Sequence, residues 1–176
     1  MRENMIDQIE KALERFNIKK TNKIVNEEGA LHISNIESKY NITIPNYYKE
    51  FLLNYDNISF DDLISYTSIE KTPYTSDDGT ELFDGFIPLK GDWNLQENME
   101  CYYKRMPESF IPVGECQGGD LICLGIKEPY LGKIYLWDHE NELEGRLMVG
   151  ENVYTEDINN YLDNLYFVSE TLLDFI

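Results

Sequence analysis

The residues of this chain that could do chemistry are few, and their spacing matches no known catalytic or metal-binding pattern. The only histidines are His32 and His139, and neither a CxxC nor an HExxH spacing is present. Asp138-His139-Glu140 is rich in possible metal ligands, but neighbouring strand residues point to opposite faces, so we expect these side chains to diverge. No GxSxG elbow or cysteine–histidine signature appears. Paired carboxylates for acid–base catalysis stay open, although no two acids stand out. We expect no catalytic residues, no metal and no cofactor.

A glycine pair lies at the centre of the predicted fold. Gln117-Gly118-Gly119-Asp120 lacks the GxxxxGK[ST] pattern of a phosphate-binding loop and has an acid where a phosphate would sit. Gly-Gly between two β-type runs instead predicts a hairpin turn, because both positions accept a positive φ. The strands are predicted at residues 110–116, 120–125 and 133–138. Since these apolar runs do not alternate with polar residues, we expect a sheet covered on both faces.

Helices are expected to pack on this sheet. Periodic apolar residues predict an N-terminal helix over 5–16, helices over 28–40, 45–55 and 95–104, and a C-terminal helix from Thr155. Asn41 is expected to end the second helix in a left-handed backbone conformation, and Pro45 to begin the third helix. Residues 17–26 are predicted to be loop with a short strand at Ile24-Val25, and 147–154 the last strand. Residues 70–84 are predicted to be loop, and HENELEGR, residues 139–146, a solvated hairpin turn.

Charge is the strongest global feature. The chain has 33 Asp and Glu against 15 Lys and Arg, a formal net charge of −18. Such a surface repels nucleic acid and anionic lipid and speeds encounters with basic proteins. We therefore expect no nucleic-acid or membrane partner; on charge alone, a plain solubility surface is favoured over a surface that attracts a basic partner. The N-terminus lacks the apolar core of a signal peptide and no run reaches membrane-spanning length, so we expect a cytoplasmic protein.

Two acidic clusters and a surplus of tyrosines are candidates for a protein interface. The first cluster is Asp77, Asp78, Glu81 and Asp84, in the predicted loop; the second is Glu140, Glu142 and Glu144, in the predicted turn. The alternative for both clusters is plain solvation. Tyrosine suits interfaces because it combines apolar area with a polar tip. The tyrosines near predicted loops, which could equally form the outer core, are Tyr66, Tyr74, Tyr102, Tyr103 and Tyr130.

Three sequence pieces, taken in order, resemble the SUKH superfamily, a set of bacterial immunity proteins related to a yeast cell-wall regulator. The first piece is Ile33-x-x-Ile36-Glu37 followed by Ile44-Pro45-x-x-Tyr48-Lys49-x-Phe51-Leu52. The second is Ile111-Pro112-Val113-Gly114 with Gly118-Gly119-Asp120 and the apolar residues 121–124. The third is Gly132-Lys133-Ile134-Tyr135 with Trp137-Asp138-His139. The resemblance is strongest over residues 28–140.

The resemblance implies an α+β fold, with a mixed or antiparallel sheet flanked by N-terminal and C-terminal helices, in a single SUKH-like domain over residues 1–176. It also implies structural roles for the family-motif residues, which are Pro45, Tyr48, Phe51, Pro112, Gly118, Gly119, Asp120 and Asp138. Most bacterial members are thought to neutralise a toxin encoded beside them, often a nuclease, by direct binding. We therefore expect a non-enzymatic, monomeric immunity protein whose partner is a cognate toxin domain. The alternative is an intracellular protein-binding scaffold or regulatory module.

Overall fold

The computed structural model describes residues 5–24 and 26–176 of the chain. The helices are α1 (Met5–Leu13), α2 (Asn26–Tyr40), α3 (Asn46–Asn54), α4 (Leu95–Cys101), α5 (Leu143–Met148) and α6 (Leu172–Phe175). The strands are β1 (Ile18–Asn22), β2 (Asp56–Phe60), β3 (Ile64–Thr67), β4 (Thr80–Phe86), β5 (Phe110–Cys116), β6 (Leu121–Gly125), β7 (Ile134–Trp137) and β8 (Leu165–Ser169). Among the described residues, none of the helices has both the length and the apolar character to span a bilayer.

The main sheet is a six-stranded antiparallel meander. Its strands lie in the order β3-β4-β5-β6-β7-β8, so neighbours along the chain are also neighbours in the sheet. Strands β1 and β2 form a separate antiparallel pair. Helices from both ends of the described chain pack with this sheet in one apolar cluster. The predicted α+β class with flanking helices is confirmed, and the described strands are antiparallel.

The sheet is buried on both faces at its centre, as the sequence predicts. Every residue of β6 is buried. Because strand side chains alternate, Ile122 and Leu124 join the cluster that includes α1, α2 and α3, whereas Leu121 and Cys123 join a second cluster with Trp137 on the other face. The predicted hairpin at Gly118 and Gly119 is confirmed as well, with φ values of 84° and 98°.

The helix layer also follows the sequence pattern. Ile9 and Leu13 of α1 and Ile33 and Ile36 of α2 are buried in the larger cluster. Asn41 ends α2 with a φ of 51°, the left-handed conformation expected of it.

Several sequence-based predictions are wrong. Residues 18–22 form strand β1 rather than loop; Ile24 lies outside any strand and Val25 lies outside the described residues. Strand β4 begins inside the predicted 70–84 loop. Neither the predicted hairpin turn at 139–146 nor the predicted strand at 147–154 is present. Helix α5 covers Leu143–Met148, and a loop follows it. No helix begins at Thr155 either, because residues 165–169 form β8, which pairs with β7.

Candidate functional site

Two family-motif carboxylates hold the turn that follows β7: Asp120 connects it to the hairpin between β5 and β6, and Asp138 connects it to the loop before β4. The buried Asp120 accepts hydrogen bonds on Oδ1 from the backbone N–H of His139 (3.0 Å) and pairs with His139 Nδ1 (2.9 Å). The buried Asp138 accepts from Tyr74 Oη (3.0 Å), from Asn141 Nδ2 (2.6 Å) and from the backbone N–H of Glu140 (2.9 Å). These bonds fix the turn at residues 138–141.

Asp120, Asp138 and His139 form a possible metal-ligand cluster. Alternation of side chains along a strand had predicted that Asp138 and His139 would point apart. One ligand atom each of Asp120, Asp138 and His139 lies within 4.8 Å of the others. His139 is brought back onto Asp120 because it begins a 3-10 turn instead of continuing β7. Burial raises the pKa of Asp120, and its hydrogen bonds with His139 oppose that rise. Since both carboxylates already accept hydrogen bonds that hold the turn, we interpret the cluster as a structural brace.

The other family-motif residues lie at core and turn positions. Pro45 immediately precedes α3, whose Tyr48 and Phe51 are buried against the sheet, and Pro112 is buried within β5. Gly118 and Gly119 supply the positive φ angles of the hairpin. Among the cysteines, burial raises the pKa of Cys116 to about 12, so its thiol stays protonated at neutral pH.

The four acids of the first cluster differ in burial, because Glu81 lies on the inner side of β4. Asp77, Asp78 and Asp84 are exposed, but Glu81 is buried. Its carboxylate accepts hydrogen bonds from Tyr66 Oη (2.8 Å), Thr75 Oγ1 (2.8 Å) and Ser68 Oγ (3.2 Å). Glu81 therefore cannot contribute to an exposed contact surface, which corrects its place among the candidate toxin-binding residues.

Asp78 is exposed but has a local role of its own. Its Oδ1 accepts from Ser76 Oγ (2.5 Å), Thr80 Oγ1 (2.7 Å) and the Thr80 backbone N–H (3.1 Å). These bonds lower the pKa of Asp78 to about 2 and hold the loop that leads into β4. Asp77 and Asp84 therefore remain as the acids of this cluster that are free to meet a partner.

The second acidic cluster is also divided. Glu140 and Glu144 are exposed and pair with no lysine or arginine of the described chain. Glu142, in contrast, forms a two-pronged ion pair with Arg105, at 2.5 Å to Nη2 and 3.0 Å to Nε. This pair attaches the start of α5 to the segment after α4, so Glu142 is a bracing residue.

A groove of about 560 Å³ lies between the end of α2, helix α4 and strand β5. Its lining includes Tyr40, Met99, Tyr103 and Phe110, together with three lysines, which are Lys39, Lys104 and Lys127. Lys39 pairs with Glu100 and Lys127 with Glu108. Aromatic and apolar side chains beside a few charged groups are the usual lining of a ligand cleft. One signal of the groove is present in the sequence, the tyrosine pair at residues 102–103; Tyr66, from the same set of interface candidates, is buried instead.

A run of exposed apolar residues at the end of α5 was not anticipated from the sequence. Leu147, Met148 and Val149 are all exposed and begin three residues after Glu144 of the second acidic cluster. Their sequence pattern predicted a strand. Three consecutive apolar residues shortly after a run of acids were the available signal.

Comparison with known proteins identifies the family. A search among curated proteins found no significant match. A family model described as SUKH_6, SMI1-KNR4 cell-wall, matches residues 30–147, which is more than half of the chain. The match includes the motif residues from Pro45 to Asp138 and agrees with the resemblance over residues 28–140. The chain therefore belongs to the SUKH_6 family.

Proposed function

We propose that the chain is a non-enzymatic immunity protein that binds a cognate toxin domain and blocks it, with residues 1–176 acting as one SUKH-like domain. Family membership supports the proposal through the immunity role that the resemblance implies. In this proposal the protein works in the cytoplasm as a monomer, forms a one-to-one complex and performs no chemistry on the toxin.

The structural observation that carries the proposal is the acidic turn, defined as residues 140–144, which leads into α5 and includes the first residues of the helix. Glu140 and Glu144 are exposed and unpaired within the described chain, whereas the turn itself is held by the buried Asp138 and by the Arg105–Glu142 ion pair. A fixed turn loses little conformational entropy when it binds, and unpaired acids steer a basic partner toward it. The surface therefore suits a rigid, electrostatically guided contact.

A basic nuclease is the toxin class that this surface fits best. A nuclease that binds a phosphate backbone presents lysines and arginines around its site, and exposed carboxylates can occupy the positions of phosphates. Asp77 and Asp84 provide a second set of such carboxylates.

Charge reversal at matched pairs tests the acidic contact. In full-length protein, Glu140→Lys with Glu144→Lys, or Asp77→Lys with Asp84→Lys, should lower the association rate with the toxin domain by about tenfold at low salt. The control is Glu10→Lys with Glu14→Lys, two exposed acids in α1 and just after it, which changes the net charge equally. We expect a smaller effect from the control. Unchanged affinity with both test pairs reversed together would remove the acidic contact from the proposal.

The groove beside α4 favours a second candidate function, a protein-binding scaffold or regulatory module. Tyr103 is exposed and lines this groove, and Lys104 beside it forms no ion pair with a described acid. Tyr103→Ala separates the two functions. An immunity protein that uses the acidic turn should bind its toxin unchanged, whereas a scaffold that uses the groove should lose its protein partner.

A further inference from the structure

We propose that Leu147, Met148 and Val149, termed here the α5 apolar run, form the anchor that docks into the toxin, with the neighbouring acids as the rim of the contact. The inference rests on the proposed immunity function and deepens it. In this inference most of the binding free energy comes from the apolar side chains, and the acidic side chains guide the toxin to the surface.

The exposure of this run has no explanation within the described fold. The relative exposures of Leu147, Met148 and Val149 are 39%, 81% and 74%. Single exposed apolar residues are ordinary; Leu63 is one, exposed between a polar residue and a partly buried one. Three in succession are costly for solubility and are usually retained for contact with another molecule.

The backbone that presents the run is fixed by a complete helix-end motif. Gly150, with a φ of 77°, donates its N–H to the carbonyl of Leu147, and Glu151 donates to the carbonyl of Arg146. This is the pair of hydrogen bonds of a Schellman motif. An apolar contact usually joins the two residues that flank such a motif. Here those two residues are Arg146 and Glu151, and Arg146 Nε donates to the Glu151 carboxylate at 2.7 Å instead.

Arg146 also anchors this helix end to the rest of the fold. Its Nη1 donates to Tyr161 Oη at 2.8 Å and to Asp163 at 3.0 Å. Leu143, at the start of the helix, is buried. The exposed side chains therefore stand on a preorganised support, the arrangement in which apolar contacts contribute most to affinity.

Charge selects a basic protein as the occupant. Glu144 lies one turn before Met148 on α5 and hence on the same side of the helix. Arg146, the one basic residue of the helix, is already paired with Glu151 and Asp163. A second copy of the chain is disfavoured, because a two-fold contact would bring the same acids against each other. An anionic membrane is disfavoured for the same reason.

The test uses neutral substitutions that leave the net charge intact. Met148→Ser with Val149→Ser in the full chain should weaken binding to the catalytic domain of the toxin encoded beside it by about 30-fold or more. The loss should appear in the dissociation rate, with the association rate and its salt dependence unchanged. The matched control is Leu63→Ser, which changes an equally exposed residue, at 81%, and should alter affinity by less than about twofold.

The outcomes separate this inference from the function on which it rests. If the wild-type chain binds and the double variant binds within about twofold of it, the α5 apolar run is not the anchor and the immunity function stands. If the wild-type chain does not bind the toxin domain, both are overturned. Should the serine pair lower the melting temperature, the closer-shaped pair Met148→Gln and Val149→Thr decides the question by the same criteria.

Discussion

Glu81 is an acid that faces the core because of its position in β4. Side chains alternate along a strand, so Glu81 and Phe83 share the inner side while Leu82 and Asp84 point outward. The sequence shows a cluster of acids in a stretch that also contains Pro73 and Gly79, a composition typical of a loop. Polar and apolar residues do not alternate here, since the acid Glu81 is buried and the apolar Leu82 is exposed, so the local sequence did not predict the strand.

The burial of Glu81 predicts a stability effect. Glu81→Ala should lower the free energy of unfolding by about 2–3 kcal/mol, because it leaves the hydroxyl groups of Tyr66 and Thr75 without their acceptor. Asp84→Ala, in the same strand but exposed, should change it by less than about 0.5 kcal/mol. Urea unfolding of both variants at neutral pH measures the difference. Equal losses would mean that Glu81 is solvated like its neighbour.

At the scale of elements, α5 offers a matched pair of glycines. Gly145 lies inside the helix, and a methyl group added there meets no heavy atom within 4 Å. Gly150 ends the helix with a φ of 77°, a conformation that side chains disfavour.

Alanine at these two positions should therefore change the stability of α5 in opposite directions. Gly145→Ala should stabilise α5 by about 0.5–1 kcal/mol through lower unfolded-state entropy. Gly150→Ala should destabilise it by about 1–2 kcal/mol. Hydrogen exchange of the Gly150 and Glu151 amides, both bonded in the helix-end motif, reports the local effect. Slower exchange in the Gly150 variant would contradict the helix-end motif on which the α5 apolar run depends.

The elements that the sequence predicted well are those whose signals are local. The glycine pair fixed the β5–β6 hairpin, and Asn41 and Pro45 marked the boundary between α2 and α3. The predicted C-terminal helix was wrong because the apolar residues of this segment also fit one face of a helix. Strand β8 forms there instead because it pairs with β7, with Trp137 opposite Leu165 and Tyr135 opposite Phe167. Pairing of this kind depends on tertiary context and overrides local propensity.

The candidate interface was only partly predictable for a similar reason. Net charge and acid clusters can be read from composition, but which acids are free depends on contacts distant in sequence. Glu142 is bound by Arg105, 37 residues away, while Glu140 and Glu144 remain unpaired in the described chain. The α5 apolar run is visible as exposed only after the helix end has been placed.

At the scale of the whole molecule, acids outnumber basic residues by 18, and the ion pairs within the chain do not change that excess. The basic residues that already pair with acids of the same chain include Lys39, Lys49, Lys90, Arg105, Lys127, Lys133 and Arg146. A net charge of −18 then steers a basic partner over distances of a Debye length, about 10 Å at 0.1 M salt. The steering should weaken as salt rises, while apolar anchoring should not.

The most direct test of the immunity function is calorimetric titration of the full chain with the catalytic domain of the toxin encoded beside it, at low and at high salt. We predict tight one-to-one binding that weakens at high salt but persists, because charge guides the encounter and the α5 apolar run holds the complex. No heat of binding at either salt concentration, with both proteins folded, would contradict the immunity function and leave the scaffold as the better account of this surface.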